Sequence, residues 1–356
     1  MEYLLLFSAI AFGLALLAFG GDWVVDGGEG LAKTLGVTPL VIGVVFLGFA
    51  TSLPELFTSL QGALQGAPGV ALGNVVGSNI ANVLLIAGVA SALAATRVRR
   101  TMIFRDGGFV FGTSLALVAL LLTQTEIGFV AGAGLFATLI IYLIVALATE
   151  GARKARSERK LEERLAEARK ARREGHPATA LKIEEAARAG GADDDDDDED
   201  APALQGGQAF LWFGIGVGAT IAGSYLLVYG AVELASQLGV SESLIGLTVV
   251  AFGTSLPELA AAIAAGVKGK PELAVGNVLG SNVFNVGAVV GVTAMVTPLA
   301  TPPELLTFDV YAMLMATLLM LALAFHNRQL ARWEGAVLLT TYVAYIAATS
   351  GVFGGA

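Results

Sequence analysis

The sequence predicts an all-α integral membrane protein of about ten transmembrane helices, arranged as two inverted five-helix repeats. Three observations predict it. The 356 residues are 55% hydrophobic and only 14% charged, with a mean hydropathy of +0.74, too little charge to cover a soluble surface of that size. Apolar stretches of roughly 20 residues, enough to cross a hydrocarbon core about 30 Å thick, follow one another almost to the end. Finally, the string TSLPEL stands at Thr51–Leu56 and again at Thr254–Leu259, each time inside an apolar run that ought to exclude Glu. Cysteine is absent, so disulfides and thiolate metal sites are excluded.

The first span begins at the N-terminus, where Met1-Glu2-Tyr3-Leu4 lacks the basic region of a cleavable signal peptide and leads directly into a long apolar run. Polar breaks then delimit spans near 3–25, 39–65, 69–95, 103–122 and 126–149, and near 209–232, 243–266, 272–297, 306–325 and 332–350. Two membrane halves, 1–149 and 209–356, therefore flank a segment of different character at 150–208. That segment opens with the charge-alternating ARKARSERKLEERLAEARKARRE, expected to be a solvated helix. It ends in the acidic run Asp193–Asp200, expected to be a linker because it lacks the glycine turn and spaced ligands of a calcium loop.

Orientation follows from the basic residues, which cytoplasmic loops retain. Lys33 follows the first span, Arg97, Arg99, Arg100 and Arg105 the third, and twelve Lys and Arg lie in the central segment. Lys268 and Lys270 follow the seventh span, and Arg328 and Arg332 the ninth. All 21 basic residues thus fall in connections of one parity. The expectation is a multi-pass protein of the cell membrane with both termini outside and the central segment cytoplasmic.

The duplication runs at one offset, 203 residues, without a gap. LGVTPLVIG from Leu35 matches LGVSESLIG from Leu238, and G-N-V-x-G-S-N-x-x-N recurs from Gly73 and from Gly276. With five spans in each half, the second copy crosses the membrane in the opposite sense. Such inverted repeats set a site near the midplane, at the interface between halves, open to either side in turn.

Pro54 and Pro257 lack an N–H and crowd the preceding turn, so each helix should open just before them. Carbonyls left unpaired at membrane depth need protein, water or an ion to satisfy them. Helical spacing gathers Thr51, Ser52 and Glu55 on one face, and Asn74, Ser78 and Asn82 recur every four residues in the next span. The second half repeats this with Thr254, Ser255 and Glu258, then Asn277, Ser281 and Asn285. Gly73 and Gly77, like Gly276 and Gly280, form small stripes along which another helix can approach. Every group collected offers an oxygen, which suits hard cations such as Ca²⁺ and also Na⁺ of similar size. Singly, a buried Glu can be a protonated structural group and a membrane Ser or Thr bonds back to its own helix. The paired occurrence argues for function.

These paired segments resemble the two alpha repeats of the calcium/cation antiporter superfamily, with the greatest likeness to its prokaryotic sodium/calcium exchangers. The resemblance covers both membrane halves and omits the central segment. It implies a Ca²⁺ site sharing Glu55 and Glu258 with Na⁺ sites, with supporting ligands Thr51, Ser52, Ser78 and Asn82, and Thr254, Ser255, Ser281 and Asn285 opposite. Backbone carbonyls near Gly48 and Ala251 match further ligands of that family. Many of its members carry Asp where this chain has Asn285, so this site is one carboxylate poorer. The implied function is antiport of Ca²⁺ outward against Na⁺ inward, without a cofactor, enzymatic activity or a nucleic-acid partner. The alternative is a Ca²⁺/H⁺ antiporter in which protons replace Na⁺ on the same carboxylates. A Ca²⁺ channel fits the ligand set as well. An intramembrane hydrolase fits less well, since acid and base roles call for differentiated carboxylate environments.

Overall fold

The computed structural model describes residues 2–174, 176–192, 204, 206–237 and 251–349. It is built almost wholly of helices. The first, α1 (Glu2–Leu35), is long enough to cross a bilayer and project beyond it. Its last turns carry Asp22, Asp26, Glu29 and Lys33, which extend the expected 3–25 span into a polar end. That end is tied to the turn at Lys268–Lys270: Lys268 Nζ lies 2.7 Å from Asp26 and 3.4 Å from Asp22, and Lys270 Nζ lies 3.6 Å from Glu29.

The second crossing is built in pieces: a π-helical stretch at Ile42–Leu47, a short α-helical turn at Gly48–Thr51, and α2 (Leu53–Leu64). Gly66, at φ +81°, turns the chain into α3 (Pro68–Ala81), which continues through a π turn at Asn82–Ile86 and ends at Leu93. A left-handed φ at that turn is open to glycine at little cost, and Pro68 then opens the next helix with φ already set. Next come α4 (Gly108–Thr123), α5 (Phe129–Arg173), α6 (Pro177–Ala192) and α7 (Gly207–Gln237). In the second half α8 (Leu256–Val267) and α9 (Pro271–Phe284) precede a π turn at Asn285–Val290, and α10 (Asp309–Asn327) and α11 (Arg332–Thr349) close the chain.

Among the described residues eight helices are long and apolar enough to cross a membrane. Two expected spans are not among them. The 243–266 span lies partly outside the described residues, leaving the 12-residue α8, and α11 has the length, 18 residues, but opens on Arg332, Trp333 and Glu334. The helix α5 runs unbroken through residue 149 into the charged central segment, 45 residues in all. There α6 folds back along it, with Arg172 NH2 3.2 Å from Glu184 Oε2. The acidic run Asp193–Asp200 lies outside the described residues.

Element boundaries repeat with the sequence offset, α2 against α8 and α3 against α9. The repeat mates α1 and α7 pack along a glycine seam. A Cβ on Gly13 would lie 2.8 Å from Gly223 O, one on Gly216 2.9 Å from Gly20 O, and Gly27 abuts Phe213. Positions rise along α1 as they fall along α7, so the two helices are antiparallel. Gly276 meets Leu40 and Gly280 meets Val44 in the same close manner, so that pair runs parallel. The partner segment expected for the first-half stripe, Gly73 and Gly77, falls at 243–250, outside the described residues.

Four two-residue strands clip helix ends across the halves, a feature that the all-helical expectation lacks. β1 (Thr96–Arg97) pairs antiparallel with β4 (Gln329–Leu330), and β2 (Glu126–Ile127) with β3 (Leu299–Ala300). Arg105, counted with the basic residues after the third span although inside the expected 103–122 span, sits in a π turn at Ile103–Gly107 leading into α4. Its guanidinium makes two 2.9 Å bonds to Asp106, which is fully buried and accepts a third from Tyr142 OH at 3.1 Å. The pair is tolerated among apolar helices because each charge offsets the other and nearly every polar atom has a partner.

Candidate cation site

The two proline-adjacent breaks position the site. At Ser52 (φ −83°, ψ 3°) and Ser255 (φ −89°, ψ 7°) the helix leaves regular geometry and restarts one residue later, with Pro54 and Pro257 in the first turns of α2 and α8. Glu55 and Glu258 follow on those first turns. Facing them are α3 and α9, each carrying its serine and asparagines on the buried side. All of these helices meet in the interior, so the side chains come together away from solvent: Glu55 is 1% exposed and Glu258 is 0% exposed.

Contacts cross between the halves. Ser78 Oγ of the first half and Ser255 Oγ of the second both lie 3.4 Å from Glu55 Oε1, and 3.4 Å from one another. Thr51 Oγ1 lies 3.0 Å from Leu47 O and 3.1 Å from Asn277 Oδ1, two acceptors for one proton. Ser281 Oγ stands 3.4 Å from both Gly48 O and Asn277 Oδ1. Thr254, half-buried, donates to Asn74 Oδ1 at 3.4 Å. Asn74 Nδ2 in turn donates to Glu55 O and Ser59 Oγ, so this asparagine staples helices.

The unpartnered oxygens describe what the site takes, beside two amide donors unpartnered among the described residues, Asn277 Nδ2 and Asn282 Nδ2. Ser52 Oγ, Glu55 Oε2, Asn82 Oδ1, Asn285 Oδ1 and both carboxylate oxygens of Glu258 are buried with no hydrogen-bond partner among the described residues. Six oxygens without donors, two of them on a carboxylate with no cationic neighbour, is an arrangement costly to bury bare. A hard cation satisfies such a set, because it needs several oxygens and no protein hydrogen. Two carboxylates balance one divalent charge in full.

Of the residues expected at the site, Thr51, Ser52, Glu55, Ser78, Asn82, Ser255, Glu258, Ser281 and Asn285 are all buried. The Gly48 carbonyl lies beside Ser281, 3.4 Å from its Oγ. Ala251 opens the described segment Ala251–Gly253, and the residues preceding it lie outside the described set. Sequence reasoning passed over Asn79 and Asn282, both 1% exposed. They stand at equivalent positions in the repeated motif, and that recurrence was the signal available to find them.

The comparisons with known proteins follow the same division of the chain. A family model described as sodium/calcium exchanger protein matches residues 5–148 and again residues 208–351. The chain belongs to the sodium/calcium exchanger family. The two matched segments are themselves displaced by the repeat offset. Among relatives of this exchanger-family chain, the sodium/calcium exchanger MaX1 of Methanosarcina acetivorans is 32% identical over 342 residues, 96% of this chain and 97% of that one. The inner membrane protein YrbG of Escherichia coli is 30% identical over 354 residues, 97% of this chain and 96% of that one. The solved structure of the sodium-calcium exchanger NCX_Mj, soaked with Na⁺ and Sr²⁺, matches with a TM-score of 0.75 at 26% identity, covering 97% of this chain and 98% of that one. Family membership and the run of long apolar helices make this a multi-pass membrane protein, and the family is one of exchangers rather than of enzymes.

Proposed function

We propose that the protein is a secondary active antiporter that carries Ca²⁺ outward in exchange for Na⁺ moving inward, by alternating access. The observation that carries this reading is the pair of fully buried carboxylates, Glu55 and Glu258, among oxygens that lack donors. One Ca²⁺ neutralises the two, and so do two Na⁺, whereas the empty site leaves both charges bare in low dielectric. An empty carrier therefore switches poorly between faces, and that penalty couples the two fluxes. Thr51, Ser52, Ser78 and Asn82, with Thr254, Ser255, Ser281 and Asn285, are the supporting ligands on this reading, together with the carbonyls of Gly48 and Ala251.

Ten crossings in two inverted halves suit this mechanism. The antiparallel seam between α1 and α7 supports the inversion. So do the strand clips, each of which joins connections of like parity, the third with the ninth and the fourth with the eighth. With the basic residues inside, both termini face outward and the α5–α6 hairpin is cytoplasmic.

The test is uptake of ⁴⁵Ca²⁺ into proteoliposomes loaded with Na⁺, with K⁺, or with an imposed proton gradient. Concentrative uptake driven by internal Na⁺ and abolished when the gradient is collapsed is the expected result. Uptake that follows the proton gradient and ignores Na⁺ would replace Na⁺ by H⁺ as the coupling ion, and gradient-independent equilibration would make the protein a channel. Deleting Asp193–Asp200, which lies outside both family matches, should leave the initial rate of Na⁺-driven uptake unchanged.

Asn285 supplies a further expected result. Its amide leaves the ligand set at two negative charges, so a third Na⁺ would carry an uncompensated charge. Asn285→Asp adds a carboxylate and should lower the half-saturating Na⁺ concentration several-fold, more than it changes that for Ca²⁺. Unchanged affinities for both ions would remove Asn285 from the ligands.

A further inference from the structure

We infer that Asn79 and Asn282 are positioning residues, a crossed pair of amide clamps by which each half of the protein orients an ion ligand of the other. The inference rests on the cation site proposed above and concerns residues that are not themselves ligands.

The geometry is reciprocal. Asn285 Nδ2 of the second half donates to Asn79 Oδ1 of the first at 3.0 Å, and Asn82 Nδ2 of the first half donates to Asn282 Oδ1 of the second at 3.1 Å. All four side chains are buried, at 1% exposure or less. The oxygens of Asn79 and Asn282 are each engaged by an amide hydrogen from the other half. The oxygens of Asn82 and Asn285, by contrast, have no hydrogen-bond partner among the described residues.

A primary amide has its acceptor and its donors at opposite corners. With Nδ2 of Asn285 held by Asn79, its Oδ1 must face the other way. A flipped amide would set two acceptor oxygens against each other at hydrogen-bond distance. The clamp thus converts an asparagine, which could present either corner to the site, into a fixed oxygen ligand. Asn79 is itself anchored, since its Nδ2 lies 3.4 Å from Asn282 O and 3.9 Å from Met313 Sδ. Asn282 Nδ2 has no partner among the described residues. The clamp on Asn285 is therefore tied at both corners and the clamp on Asn82 at one, so loss of Asn79 should matter more than loss of Asn282.

Both clamped asparagines begin a π turn, Asn82–Ile86 and Asn285–Val290. Such turns occur mostly as single-turn bulges inside α-helices and are frequent at functional sites. Each clamp spans the interface between halves, so a displacement of one half against the other frees both ligand amides at once.

The test is equilibrium ⁴⁵Ca²⁺ binding to the purified full-length protein, which requires no transport, using Asn79→Leu, Asn282→Leu, Asn285→Leu, Asn79→Leu combined with Asn285→Leu, and Asn79→Asp. Asn79→Leu should raise the half-saturating Ca²⁺ concentration by roughly tenfold, the scale of one buried hydrogen bond, and Asn282→Leu by less. In the Asn285→Leu background Asn79→Leu should add nothing further, because it acts through that amide. Asn79→Asp keeps an oxygen acceptor for Asn285 Nδ2 but gives up the Nδ2 contact to Asn282 O, so its Ca²⁺ binding should fall between that of Asn79→Leu and that of the wild type. Unaltered Ca²⁺ binding by folded Asn79→Leu overturns the inference, and so does a loss that is fully additive with Asn285→Leu. If Asn79→Leu yields no folded protein, Asn79→Asp decides: binding within a few-fold of the wild type supports the clamp, because the acceptor for Asn285 is kept, and binding roughly tenfold weaker or worse overturns it. A wild type that binds no Ca²⁺ would instead remove the cation site itself, and the clamps with it.

Discussion

Glu55→Gln and Glu258→Gln should each abolish Na⁺-driven Ca²⁺ uptake while leaving a folded, membrane-inserted protein. Each substitution removes one full charge from a buried ligand set and turns an amide N–H₂ toward a space that oxygens otherwise line. The expected loss in Ca²⁺ affinity is ~100-fold or more, the scale of about 3 kcal/mol or more seen when a buried charge loses its partner. Stability should move the other way. Both Glu258 oxygens are buried and without a hydrogen-bond partner among the described residues, so the neutral Gln relieves a desolvation cost in the ion-free protein. Thermal unfolding of purified, ion-free Glu258→Gln should therefore occur at or above the wild-type temperature. Near-normal exchange by either variant would remove the carboxylates from the mechanism. A fall in ion-free stability would mean that Glu258 holds the fold together instead.

Asp106→Ala should destabilise the protein strongly without touching the ion ligands. Asp106 is fully buried and Arg105 only 11% exposed, and the carboxylate takes two bonds from the guanidinium and one from Tyr142. Removing it leaves an arginine charge at the α4–α5 contact that, among the described residues, keeps its bond to the Ala146 carbonyl at 3.3 Å but loses its paired carboxylate. The expected cost is about 3–5 kcal/mol. Replacing both residues by leucine should recover much of that loss, because an apolar pair of similar volume avoids the desolvation cost altogether. Reversible unfolding in detergent measures both variants. A change below about 1 kcal/mol for Asp106→Ala would show the pair to be as weak as an exposed one.

The site was more legible in the sequence than the packing around it. Glu55 and Glu258 stand out because a carboxylate in an apolar run is rare and a recurrence at one offset rarer still. Helical spacing then drew in Ser78, Asn82, Ser281 and Asn285, since residues four apart share a face whatever the tertiary structure does. Asn79 and Asn282 were passed over for the same reason. They lie off the four-residue repeat, though three residues from Asn82 and Asn285 and so near the same face, and their role depends on where the other half lies. The Arg105–Asp106 pair gave no signal of its own because hydropathy averages over a window. A charge pair that neutralises itself inside a helix has the same composition as a loop. The continuation of α5 past residue 149 follows similarly: charge-alternating residues have good helix propensity, and a helix leaving the bilayer needs no break where its surroundings change from lipid to water. The strand clips and π turns are set by contacts between halves and have no local signature.

The most direct measurement of a shared site is equilibrium ⁴⁵Ca²⁺ binding to the purified protein as Na⁺ is raised. If Glu55 and Glu258 serve both ions, Na⁺ displaces bound Ca²⁺ completely and more steeply than a single competing ion would, while Glu55→Gln and Glu258→Gln bind no Ca²⁺ in the same range. Ca²⁺ that stays bound to the wild type at saturating Na⁺, or that binds both variants normally, would contradict a common site for the two ions.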